Sequence, residues 1–357
     1  RDEWRRQMRE LARNTSVVCK LSLSPQGDRL GELVAGPKLG WDVESIKPFV
    51  QFMLERQWNR LRRYAAKQGI GFIGDVPIFV HADSVDVRRR PELFRLDRNG
   101  NPTVVTGVPP DGFCKNGQLW GHPHYRWASH RKEQFAWWVD RFRLAIGRFD
   151  AIRVDHFIGF VRLYEVAANA KTARRGTWRR TPGRELLETL RRELGPLPLI
   201  AEDLGEVTPA VRRLRDDFDL PGMRIVQWAF FEDDSPELPR NHPRRSVCYP
   251  GTHDNDTTRG WYRSLPPDAK VRFRQHTGCQ RVADVAWSMI DLCMDSPAEC
   301  CIIPMQDVLN LGSAARMNRP GTPRGNWRWR MDAHATAPLA RRMRATAARR
   351  SSMLPRP

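Results

Sequence analysis

The sequence lacks the patterns that mark zinc sites, disulfide-bonded secreted domains and membrane spans. Its seven cysteines contain no CxxC pair, and no apolar run reaches 18 residues. The first residues also lack the apolar stretch of a secretory signal. We therefore expect a soluble, cytoplasmic protein with reduced cysteines and no membrane partner.

Nucleic-acid-binding motifs and a glycine-rich phosphate loop are also missing. The net charge is +19, but most of it comes from arginines scattered along the chain rather than from one block. Without a helix-turn-helix, zinc-finger or RNP pattern, this charge predicts a solvated basic surface and no nucleic-acid partner. Binding of nucleic acid by this basic protein remains an alternative hypothesis, of a different functional class from an enzyme. We expect the protein to be a monomer.

Three short apolar runs that end in acidic residues are the main positive feature. They are Ala151–Val154 before Asp155, Leu199–Ala201 before Glu202, and Val247–Tyr249 before a loop that contains Asp254. Because a barrel places its functional residues at the carboxyl ends of several strands, this pattern predicts that the three acids converge.

Strand-like and helix-like segments alternate along the chain. Six strands are predicted, near residues 72, 153, 199, 226, 248 and 303, and two of them are expected to run over Met223–Phe230 and Cys300–Met305. The turn-rich segment around residues 97–112 and the segment after Phe157 are expected to be long loops. Alternation predicts parallel strands, in a doubly wound sheet or a (β/α)8 barrel, and acids on several strands favour the barrel.

The acids with their basic neighbours suit glycoside chemistry. Arg153 lies two residues before Asp155 on the same strand face, so its charge would keep Asp155 ionised as a nucleophile. Glu202 would then donate a proton to the leaving oxygen. His156 and His253 are expected to hydrogen-bond sugar hydroxyls. A Mg²⁺ or Ca²⁺ site, and a purely structural role for each acid, remain alternatives.

An ordered series of motifs runs from about Phe49 to Met331. It comprises Gly74–Val80, Asp83-Ser84, Gly107–Asp111, Gly117–Gly121, Arg153–Phe157, Ala201–Gly205, Leu220–Met223, Gly251–Thr257 and Arg316–Asn318. With this series the chain resembles the amylomaltase family, the α-1,4-glucan transferases that are also called disproportionating enzymes.

The resemblance implies a (β/α)8 TIM barrel with insertions and the transfer of α-1,4-glucan segments between glucans or maltooligosaccharides. It places the nucleophile at Asp155, the general acid/base at Glu202 and a stabilising carboxylate at Asp254. Implied substrate-binding residues are Asp75, Gln118, Trp120, Arg153, His156, His253 and Asn318. No metal or organic cofactor is expected to take part.

The chain pattern and the resemblance together predict three parts. Residues 1–48 are expected to be an N-terminal helical or irregular segment, 49–331 the barrel part with a lid loop near 107–121, and 332–357 an Arg/Ala-rich helix and tail. The family's first two strands are expected to be absent from this chain. The alternative to a transferase is therefore a truncated remnant of the family that binds glucan and is weakly active or inactive. Gly112-Phe113 replaces an aromatic pair in the lid, which predicts more hydrolysis per transfer.

Overall fold

The structure is a computed structural model that describes residues 43–110, 114–322, 324–331 and 337–353. The predictions for residues 1–42 and for Gly112-Phe113 therefore lie outside the described residues. The chain divides into two compact units, one holding the residues up to Glu202 with 207–214, and the other holding 203–206 and the residues from Arg215 on. No helix in the described part of the chain is long and apolar enough to cross a membrane.

The first unit begins with a long helix, α1 (Val43–Lys67), which starts before the predicted barrel boundary at residue 49. Its Phe52 and Ala65 are buried, as the amphipathic pattern predicts. The helix is followed by Gly69, whose φ of 69° is the left-handed conformation that commonly ends helices at glycine. Gly69 thus marks where the chain leaves the helix and turns towards the first strand.

Three parallel strands form the sheet of the first unit. They are β1 (Ile73–Val76), β4 (Ala151–Val154) and β7 (Leu199–Ala201), with β4 paired to both of the others. The crossover helices α4 (Ala136–Arg148) and α5 (Gly183–Leu194) bury aromatic and leucine side chains. Gly74 is required in β1, because a Cβ there would lie 2.2 Å from the ring of Phe149.

Four further strands form an antiparallel sheet where loops were predicted, and that prediction is wrong. The strands are β2 (Val104–Val108), β3 (Gln118–Pro123), β5 (Arg162–Ala167) and β6 (Thr177–Arg180), in the order β3-β2-β5-β6. The polar side chains of these strands are stabilised by partners elsewhere in the region. Glu165 forms ion pairs with Arg95 and Arg179. The guanidinium of Arg162 lies 4.1 Å from the ring centre of Trp178. Short helices α2 (Val85–Arg89) and α3 (Trp127–Lys132) complete this region.

The second unit contains three more parallel strands, β8 (Gly222–Ile225), β9 (Ser246–Tyr249) and β10 (Cys300–Cys301). Its helices are α7 (Thr258–Ser264), α8 (Pro267–Thr277), α9 (Val285–Met294), α10 (Met305–Val308) and α11 (Ala337–Met353). Helix α6 (Pro209–Asp217) precedes β8, and Thr208 Oγ1 caps its first turn by accepting the N–H of Val211. An apolar core forms around Phe230, Phe273 and Met289.

All six predicted parallel strands are present, but two are shorter than expected. β8 ends at Ile225 because a 3₁₀ turn, Val226–Trp228, follows it. β10 ends at Cys301, and Pro304 then caps helix α10. Pro304 cannot donate the backbone hydrogen bond that a continued central strand would need.

Candidate active site

Asp155 and Glu202 lie next to each other at the carboxyl ends of β4 and β7. The residues before them, Val154 and Ala201, are directly paired in the parallel register. The pairing continues past the strand ends, since the Glu202 N–H donates to the Val154 oxygen over 3.1 Å. Oε2 of Glu202 accepts the backbone N–H of His156 at 2.7 Å. Neighbouring strands are about 4.8 Å apart, so the two side chains emerge within the reach of one glycosidic bond.

Arg153 holds two carboxylates at once. Its Nη1 donates to Asp75 Oδ2 at 2.7 Å and its Nη2 to Asp155 Oδ1 at 2.8 Å. Arg153 is 11% exposed, whereas Asp75 and Asp155 are 50% and 43% exposed. The guanidinium therefore orients Asp155, while the Asp155 carboxylate stays exposed enough to contact a ligand. The predicted contact between Arg153 and Asp155 is confirmed.

His156 presents a neutral imidazole beside these acids. Its φ of 51° lies in the left-handed region, and its backbone N–H donates to Glu202. Burial lowers the pKa of His156 to about 4, although the charge of Asp155 opposes this effect. Its Nε2 is buried and has no hydrogen-bond partner in the described structure. An unpartnered buried nitrogen of this kind fits a ligand hydroxyl.

The antiparallel sheet brings aromatic and amide side chains to the same place. Gln118 and Trp120 lie on one face of β3, and Trp120 Nε1 donates to Gln118 Oε1 at 3.3 Å. The Trp120 ring packs edge-on against His156 at a centroid distance of 4.9 Å. Phe79, which sequence analysis did not single out, contacts both rings. The sequence does place Phe79 inside the Gly74–Val80 motif, and this position could have identified it as a site residue.

Asp254 lies in the second unit, in the loop after β9. Its Oδ1 accepts Asn318 Nδ2 at 2.6 Å and lies 3.5 Å from His253 Nε2. The Asp254 N–H donates to Thr252 Oγ1, which braces the turn from within. The His253 ring lies 5.1 Å from the ring of Trp327. Three predicted site residues of this unit are thus brought together: His253, Asp254 and Asn318.

The remaining predicted site residues, Asp75, Gln118, Trp120, Arg153, Asp155, His156 and Glu202, all lie in the first unit. The convergence of Asp254 with Asp155 and Glu202 stays a prediction. Among the described residues, no three or more His, Cys, Asp or Glu side chains are grouped as metal ligands.

Comparisons with known proteins identify the family of this chain. The sequence model of the 4-alpha-glucanotransferase family matches residues 40–336. The 4-alpha-glucanotransferase of Thermus thermophilus is 46% identical over 291 residues, which cover 79% of this chain and 58% of that enzyme. The chloroplastic/amyloplastic enzyme of Solanum tuberosum is 44% identical over 282 residues, covering 79% of this chain and 49% of that enzyme. The chain thus spans about half the length of the curated relatives it matches.

Solved structures of amylomaltases are also similar to this chain. The amylomaltase of Streptococcus agalactiae in complex with acarbose matches with a TM-score of 0.83 and 35% identity, over 85% of this chain and 62% of that chain. The amylomaltase of Corynebacterium glutamicum, at a TM-score of 0.63 and 20% identity over 89% of this chain and 48% of that chain, shows the fold. The predicted fold class, part of a (β/α)8 barrel with insertions, is confirmed. The chain belongs to the 4-alpha-glucanotransferase family.

Proposed function

We propose that this chain transfers α-1,4-glucan segments between glucan or maltooligosaccharide chains, with retention at the anomeric carbon. The observation that carries the proposal is the placement of Asp155 and Glu202 on directly paired, adjacent strand ends, with Glu202 held by the His156 N–H. Retaining enzymes use two carboxyl groups roughly 5–5.5 Å apart, and adjacent strand ends provide such spacing. Family membership supports the choice of an α-1,4-glucan as the substrate.

In the first step, an Asp155 oxygen attacks the anomeric carbon of the donor while the bond from that carbon to the glycosidic oxygen breaks. The Glu202 carboxyl gives its proton to the departing 4-oxygen, which leaves as the hydroxyl end of the released chain. A glucan ester of Asp155 remains. Arg153 fixes the attacking carboxylate through the 2.8 Å hydrogen bond.

In the second step, Glu202 takes the proton of an incoming 4-hydroxyl, whose oxygen attacks the same carbon and releases the Asp155 carboxylate. Neutral His156 can donate a hydrogen bond to a sugar hydroxyl, and Trp120 offers an aromatic surface to the sugar ring. The roles of Asp254 in stabilising the positively charged transition state, and of Asp75, Gln118 and His253 in sugar binding, are carried over from the family motifs.

The test is the redistribution of maltotriose by the purified protein. We expect longer and shorter maltooligosaccharides, and no redistribution by the Asp155→Asn variant. Asp150→Asn is a matched control, because Asp150 lies at the other end of the same strand and Asn retains an acceptor for the Phe72 N–H. Glucan binding without any change in oligosaccharide length would contradict the proposal and would favour the non-catalytic glucan-binding remnant.

A further inference from the structure

Two loop segments of the second unit are joined around Asp254 by three hydrogen bonds, and a further one lies within one of the segments. One segment contains His253 and Asp254, and the other contains Arg316 and Asn318. Three of the four bonds use backbone oxygens as acceptors, so they fix the path of both loops. The fourth fixes the side chain of Asp254 itself.

Arg316 connects the two segments through its guanidinium group. Nη2 donates to the Asp254 backbone oxygen at 2.6 Å, and Nε donates to the Asn318 backbone oxygen at 2.8 Å. Burial lowers the pKa of Arg316, with the charges of Asp256 and Asp254 opposing this effect. A planar guanidinium can serve two carbonyls in fixed directions, whereas the single ammonium group of lysine cannot.

Asn318 fixes the acid directly. Its backbone N–H donates to the His253 oxygen at 3.0 Å, and its Nδ2 donates to Asp254 Oδ1 at 2.6 Å. His253 Nε2 lies 3.5 Å from the same oxygen. None of the hydrogen bonds among the described residues ends on Oδ2 of Asp254. This arrangement orients Asp254 with one oxygen bound by the protein and the other available to a ligand.

We propose that Arg316 and Asn318 are positioning residues that hold the Asp254 carboxylate in its working orientation. The inference rests on the proposed function, since it assigns Asp254 a part in the reaction. It also changes the role of Asn318, which acts through Asp254 instead of contacting the sugar. Pre-oriented charge stabilises a transition state more than a ground state, so loss of either residue lowers kcat and leaves KM nearly unchanged.

The first test compares kcat, KM and pH–rate profiles of the full chain and its variants in maltotriose redistribution. Arg316→Lys is expected to lower kcat by about 10- to 100-fold with KM within about threefold, while the neighbouring Arg319→Lys control changes neither. Asn318→Asp puts a second carboxylate against Asp254, and two adjacent carboxylates share one proton. The acidic limb of the profile then moves up by about one pH unit or more, whereas the Asn326→Asp control leaves it in place.

The second test does not depend on activity. The ¹³C carboxyl signal of Asp254, assigned with Asp254→Asn, is followed against pH in the wild type and in Asn318→Asp. A higher midpoint of the Asp254 titration in the variant supports the positioning contact between Asn318 and Asp254, even if the wild type fails to redistribute maltotriose. Such a failure would count against the proposed function alone. An unchanged midpoint, or an Arg316→Lys variant with the kcat of the wild type, would overturn the inference.

Discussion

The backbone N–H of His156 and the carboxylate of Glu202 are joined by a hydrogen bond of 2.7 Å. The bond places Glu202 beside the residue that follows Asp155, on the neighbouring strand. The donor is the backbone of His156 and not its imidazole. Glu202 therefore has a structural contact that can be separated from its proposed proton transfer.

Glu202→Gln is expected to abolish redistribution without changing the free energy of unfolding by more than about 1 kcal/mol. The amide oxygen of Gln can still accept the His156 N–H, but the amide cannot donate a proton to a leaving group. Glu202→Ala, which removes the acceptor as well, should be less stable. Urea unfolding together with the maltotriose assay checks both variants, and measurable transfer by Glu202→Gln would contradict the assigned role.

Asp203→Ala is expected to destabilise the protein by about 3–5 kcal/mol. Asp203 is 1% exposed and accepts Arg215 Nη1 at 2.5 Å and the Met223 N–H at 2.8 Å. Gly222 allows this contact, because a Cβ there would lie 2.6 Å from Asp203 Oδ2. The variant leaves a partly buried guanidinium without its inner partner.

The matched control for Asp203 is Asp216→Ala, which removes a 60% exposed carboxylate from the same Arg215. Exposed ion pairs contribute at most about 1 kcal/mol, so Asp216→Ala should be close to the wild type. Chemical denaturation measures both changes. Equal effects of the two variants would show that the burial of Asp203 is not what stabilises this turn.

Asp307 is expected to make stability fall as the pH rises from about 4 to 6. Burial raises its pKa to about 6, although hydrogen bonds from the N–H and hydroxyl of Thr258 oppose this effect. Since the folded pKa exceeds the ordinary value of 3.8, the folded state binds a proton that the unfolded state has lost in this window. Proton binding therefore stabilises the fold below pH 6, and that contribution is lost as the pH rises through 6.

Asp307→Asn should remove this dependence, so its stability relative to the wild type improves by up to about 3 kcal/mol between pH 4 and 7. Asp284→Asn is the control, because Arg281 lowers the pKa of this exposed carboxyl through a hydrogen bond. Its difference from the wild type should have the opposite sign. Thermal unfolding at a series of pH values gives the result, and a constant difference for Asp307→Asn would contradict the account.

Arg350→Met is expected to destabilise the second unit by about 2–4 kcal/mol. The buried guanidinium of Arg350 donates to the backbone oxygens of Met294, the last residue of helix α9, and of Ser296 and Ala298, which follow it. Arg349→Met removes surface pairs with Asp291 and Asp295, and should change stability by less than about 1 kcal/mol. Urea titration of both variants provides the comparison, and similar midpoints would count against a capping role.

Gly112→Tyr is expected to raise the ratio of transfer to hydrolysis. The change restores the aromatic pair that the family has in the lid loop, and a more apolar lid would exclude water from the glucan ester. Residues 111–113 lie outside the described residues, so this prediction rests on the sequence. Reducing ends and redistributed oligomers from maltotriose measure the ratio, and equal ratios in both proteins would contradict it.

The parallel strands were predictable from sequence because they are short, mostly apolar runs between helical segments, and β4 and β7 are each followed directly by an acid. The antiparallel sheet was not, since β6 (Thr177–Arg180) is polar and pairs with β5, which in turn depends on β2, far back in the chain. Gly107 also interrupts the alternation of β2, where a Cβ would lie 2.4 Å from the Gln118 oxygen. Propensity describes neighbours along the chain, and these strands depend on distant ones.

The candidate site also contains features that the sequence predicts and features that only the fold shows. The side chains of Asp155, Glu202 and Asp254 could be named from their motifs, and so could the pairing of Arg153 with Asp155. The bonds that orient the other two acids could not, because one comes from the backbone of His156 and the other from Asn318, which lies 64 residues beyond Asp254. Only the folded chain shows these contacts.

The central claim is that Asp155 forms a covalent bond to the glucan. A fluorinated glycosyl fluoride donor, which slows the second step, is added to the purified protein, and peptide mass spectrometry then locates the label. The account predicts a glycosyl ester on the peptide that contains Asp155, and no ester in Asp155→Asn. Redistribution of maltotriose by a protein that carries the label on another acid, or carries no label, would contradict it.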